Sequence, residues 1–213
     1  KLHLLNTGEI PLDEFLTYTL RIIPDINEVI NFAKEKEDLA AMVLGDLGML
    51  ATSLSLKGVI LEDYSPDLVN ALIYLGKVTG LPPRDGYYTF TQLNPSGINA
   101  RTFVGSSEER TFIEFNQRFI TEFNFIIPTL ELLLDAPSWE DPTILALALK
   151  CGAAMSQVVN LMIDVRKKVS PNYFLSTSIF ATPVRIGNFI WTNKDGTKTN
   201  LVPKSQSADA NIY

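Results

Sequence analysis

The chain has 213 residues, 46% of them hydrophobic, so it can bury one sizeable core as a single domain or as part of a larger one. Its net charge of -6, with no dense basic cluster, excludes the phosphate-neutralising face that a nucleic-acid binder needs. A single cysteine, Cys151, excludes a disulfide scaffold.

In chain order, Leu12 to Phe32 carries apolar residues close to a helical period, broken at Pro24 because proline lacks a backbone donor. A charged turn, Lys34 to Asp38, precedes an almost wholly apolar helix through Leu56 that contains Gly45 and Gly48. Both glycines let a second backbone or a flat ligand come close, with tight helix packing the commoner use, and Asp46 between them either caps a neighbouring helix or marks an exposed edge. Ser65-Pro66 opens the next helix as N-cap and first residue, and Gly80 closes it.

Leu81 to Arg101 is rich in Pro, Gly and aromatics. Its Tyr87, Tyr88, Phe90 cluster is a short strand, an ordered loop or a helical turn over the core. Helical periodicity resumes from Ser107 to Leu134, with Phe112, Phe115, Phe119 and Phe123 as a stripe whose commonest use is core packing and Pro128 as a kink or division. Asp141-Pro142 starts a long helix through Lys168, on which Cys151 among small residues reads as a buried structural thiol. After Pro171 the pattern fragments, and Asn193-Lys194-Asp195-Gly196 reads as a turn between two short extended pieces.

The chemistry is bounded by what is missing. His3 is the only histidine, which removes zinc sites built on His and Cys, Glu-x-x-His di-iron patterns and Ser-His-Asp triads. Phosphate-binding glycine motifs are absent as well. Arg101, Arg110 and Arg185 are the candidates to hold a carboxylate, since a guanidinium matches its two oxygens. No apolar run approaches the ~18 residues of a membrane span, and no signal-peptide pattern opens the chain. A soluble, reducing, cytoplasmic setting is the expectation. The start at Lys1 and the stop at Tyr213 are those of a fragment or a trimmed chain.

Two stretches together resemble the indoleamine 2,3-dioxygenase family and its bacterial relatives, including the pyrrolnitrin-pathway enzyme that rearranges chlorotryptophan. One is Leu81-Pro82-Pro83 followed by Tyr87; the other is Ile127-Pro128, the long helix, then Val169-Ser170-Pro171-Asn172-Tyr173-Phe174. The order and spacing agree over about 130 residues, from the helix near Asp38 through Phe180. The resemblance implies a mostly α, indoleamine dioxygenase-like domain with irregular pocket-forming loops, incomplete at its C-terminus, that binds haem and uses O2 on an indole or another aromatic amine. It implies that Tyr87 lines the substrate pocket with Phe90 near it, and that Phe174 packs on the substrate ring. Asn94 matches a family asparagine. The family's carboxylate-binding arginine falls at Ile179, leaving Arg185 as the nearby substitute, and its distal serine falls near Ile113. No catalytic residue is assigned, and the haem ligand is expected beyond Tyr213. The alternative is a non-catalytic helical small-molecule-binding or scaffold protein that keeps the fold without haem; a non-haem metalloenzyme has few ligand types to draw on.

Overall fold

The structure, a computed structural model, describes residues 2–176, 190–192 and 198–200. The described part is mostly helical, as expected. Ten helices run in order: α1 Leu2–Thr7, α2 Leu12–Thr19, α3 Ile26–Glu35, α4 Ala40–Leu56, α5 Leu61–Tyr64, α6 Pro66–Thr79, α7 Tyr87–Thr91, α8 Ser107–Leu134, α9 Pro142–Lys168 and α10 Pro171–Ser176. Two short strands, β1 Ile190–Thr192 and β2 Lys198–Asn200, pair antiparallel with Trp191 opposite Thr199, while the turn expected at residues 193–196 lies outside the described residues.

Local chemistry sets the helix ends. The Asp25 carboxylate accepts the Asn27 and Glu28 N–H groups while Glu28 accepts that of Asp25, a reciprocal cap that starts α3 after the Pro24 break. Ser65 Oγ accepts the Leu68 N–H, Pro66 takes the first position of α6, and Gly80 closes it in the left-handed region at φ 72°. Asp141 caps α9 through the Thr143 N–H at 2.7 Å.

Three apolar clusters follow along the chain. In the first, α1–α6 surround α4 with Phe15, Val29, Leu44, Leu54, Leu68 and Leu72, all essentially sealed from water. In the second, Met49 of α4 meets Phe90, Phe103 and Ile113. The third is the seam of a long antiparallel hairpin, where Ile126 and Leu133 of α8 meet Cys151, Ala154 and Val158 of α9. Cys151 is buried, as its small neighbours predict. Phe119 and Phe123 stack at 4.5 Å between ring centres beside that seam, so the phenylalanine stripe is packing.

Two expectations change. Pro128 does not divide α8, which continues through it; the residue is exposed, so the lost backbone bond falls on the solvent side. Apolar runs of membrane-spanning length do occur: Glu37–Leu56 and Pro142–Lys168 are both long and apolar enough to cross a bilayer, by length and composition alone. Single charges inside otherwise apolar stretches had masked them. Half of the first is buried in the helical core, which accounts for its apolarity; only 22% of the second is.

Candidate functional site

The site is the irregular segment between α6 and α8. Residues 81–86 are all buried, an unusual state for a connection, because its backbone groups must find partners without water. Glycines on the two neighbouring helices make room for it. A Cβ on Gly48 of α4 would lie 2.1 Å from the Asp85 nitrogen, and one on Gly76 of α6 would lie 2.9 Å from the Leu81 carbonyl oxygen. The close backbone approach expected of Gly45 and Gly48 is real at Gly48, where its object is this segment; Gly45 instead meets the Arg101 and Thr89 side chains.

Hydrogen bonds tie parts of the segment down inside the packing. The Arg84 N–H donates to the Pro82 carbonyl at 2.7 Å. Thr89 Oγ1 donates to Asp85 at 2.7 Å and accepts the Gly86 N–H at 2.9 Å, which starts α7. The Tyr87, Tyr88, Phe90 cluster thus forms one helical turn, not a strand.

Each predicted side chain has a definite place. Tyr87 is half-buried; its hydroxyl donates to Asn116 Oδ1 at 2.5 Å, and burial pushes the phenol above its ordinary range. The Asn116 amide is itself aimed by a bond to the Phe112 carbonyl. Phe90, only 2% exposed, packs against Phe103 at 5.5 Å in the second cluster, one layer beneath the surface. Ile113, near which the resemblance would put a distal serine, is fully buried in the same cluster. The Phe174 side chain and the whole of Arg185 lie outside the described residues.

Arg101 is not available as a carboxylate clamp. Its Nη1 donates to the Met42 carbonyl at 2.9 Å and to Asp46 at 3.1 Å; its Nη2 donates to the Thr89 and Leu93 carbonyls, both at 2.9 Å. Gly45 leaves the space, since a Cβ there would come within 2.7 Å of Nη1. Asp46 lies on the exposed edge of α4, one of the two expected places, and is also the counter-charge of this guanidinium. Asn94 completes the clamp: its Oδ1 accepts the Arg101 N–H at 2.7 Å, and its amide donates to the Phe90 and Arg101 carbonyls. Arg110 likewise donates to the Gly105 carbonyl.

A second buried group escapes the sequence reading. Glu109 has no exposed surface, and its carboxylate accepts the N–H groups of Phe103, Val104 and Gly105 at 2.6, 2.9 and 3.2 Å. Burial lifts its carboxyl above the usual range, against the downward pull of those three bonds and of Arg110. The signal was present as Ser106-x-x-Glu109, the spacing of a reciprocal cap, and Ser106 does accept the Glu109 N–H at 3.0 Å. Beside it, Glu108 accepts the Ser170 N–H at 2.8 Å, tying the Val169-Ser170-Pro171 step to the start of α8. Burial and the two carboxylates push the Tyr173 phenol strongly upward.

The surface over α7 has a cavity of only 10 Å³ between Leu81, Pro82, Arg84, Tyr87 and Tyr88. That is room for about one water, whereas a drug-sized ligand needs ~300 Å³ or more. Among the described residues this segment offers one wall, not a closed pocket. Among the described residues no three His, Cys, Asp or Glu side chains gather to hold a metal ion, and haem iron, which needs only one or two axial ligands, finds no imidazole or thiol at this segment. His3 is exposed on α1 and Cys151 is sealed in the α8–α9 seam, so neither faces the segment. No protein-family model matches the chain, and no curated protein matches it at a significant level.

Proposed function

We propose that the chain is the helical part of an indoleamine 2,3-dioxygenase-like oxidoreductase acting on an indole or another aromatic amine with O2. In this reading the Leu81–Thr89 surface, Tyr87 foremost, is one wall of the substrate site. Haem iron, if it is used, takes its ligand from outside the described residues, and no step is assigned to it. The observation that carries the reading is the buried Leu81–Gly86 segment leading straight into Tyr87, whose ring is held half-buried by its hydroxyl bond to Asn116. Loops buried to this degree and aimed by a glycine-notched scaffold suit a binding wall better than a simple connection.

The second reading, a helical binding or scaffold protein without haem, is favoured by the donor set: one exposed imidazole and one sealed thiol. A haem titration of the natural protein, followed by absorbance, separates the two. A sharp Soret band at one equivalent that moves with CO is the expected result. A flat titration of a folded, helical protein overturns the oxygenase reading and leaves the scaffold one.

A further inference from the structure

We draw no further inference here: the strongest candidate, the exposed apolar flanks of the α8–α9 hairpin around Leu130, Leu149 and Val159, carries nothing because nothing in the structure shows what covers them.

Discussion

Glu109 sets the balance of polar chemistry in the segment before α8. Three backbone N–H groups converge on its carboxylate in a place closed to water, so removing it strands donors that nothing else can reach. Glu109→Ala is expected to cost about 3 kcal/mol in urea unfolding, since each stranded buried donor costs ~1–3 kcal/mol with some relaxation. The pH dependence follows from the direction of its shift. A carboxyl whose folded pKa lies above its unfolded value binds more protons in the folded state. Its contribution to stability is therefore fully present below the unfolded pKa and is lost as pH rises through the folded one. Urea midpoints measured upward from about pH 4 should fall for the parent. In Glu109→Gln that component of the slope should vanish; an identical slope in both proteins refutes the assignment. Little of this was legible in sequence. The Ser106-to-Glu109 spacing announces a helix start, but only the turn at Gly105, in the left-handed region at φ 72°, folds three N–H groups back over one side chain.

At the scale of elements, the glycines divide into two kinds that sequence cannot tell apart. Gly45, Gly48 and Gly76 sit on helices whose missing Cβ atoms are replaced by Arg101, the Asp85 backbone and the Leu81 carbonyl. Gly152 sits on a helix with open space before it. Alanine should therefore act with opposite signs. Gly48→Ala forces a backbone apart and should lose about 3 kcal/mol or more, at the upper end of overpacking. Gly152→Ala should add ~0.5–1 kcal/mol, measured by thermal melting. Helix positions and caps were readable because they depend on neighbours in sequence: Ser65-Pro66, Gly80 and Asp141-Pro142 all lie where the chain pattern puts them. The arginine roles were not. Arg101, Arg110 and Arg185 look equivalent as letters, and Arg101 is withdrawn from ligand binding only by carbonyls at positions 42, 89 and 93, which no local pattern brings together.

For the whole molecule, the separation of the apolar clusters implies separate stabilities. The α1–α6 cluster and the α8–α9 seam share no buried residue, and the hairpin joins the rest through its base near Phe112 and Asn116. Hydrogen exchange should show the distal hairpin, about Phe123 to Met155, opening below the global unfolding free energy while α4 and α6 open only with it. Leu133→Ala should raise exchange in α8 and α9 and leave α4 unchanged; uniform acceleration would show a single cooperative unit. Mostly helical architecture was legible from the 3.6-residue period of apolar positions. The uncovered flank of α9 was not, since a helix apolar around most of its circumference reads the same whether its own chain or another surface covers it.

The Arg101 clamp has a consequence for how the native state is reached. Its four acceptors come from Met42 and Asp46 on α4, from Thr89 on α7 and from Leu93 just beyond it, so the two terminal nitrogens gain all their bonds only when these have arrived. Any intermediate with α4 and α7 apart must leave that cation in water, and any that buries it early leaves it short of partners. Docking of the segment 81–101 on the helical core is therefore expected to be cooperative, and Arg101→Ala is expected to raise hydrogen exchange in α7 while α6 stays protected.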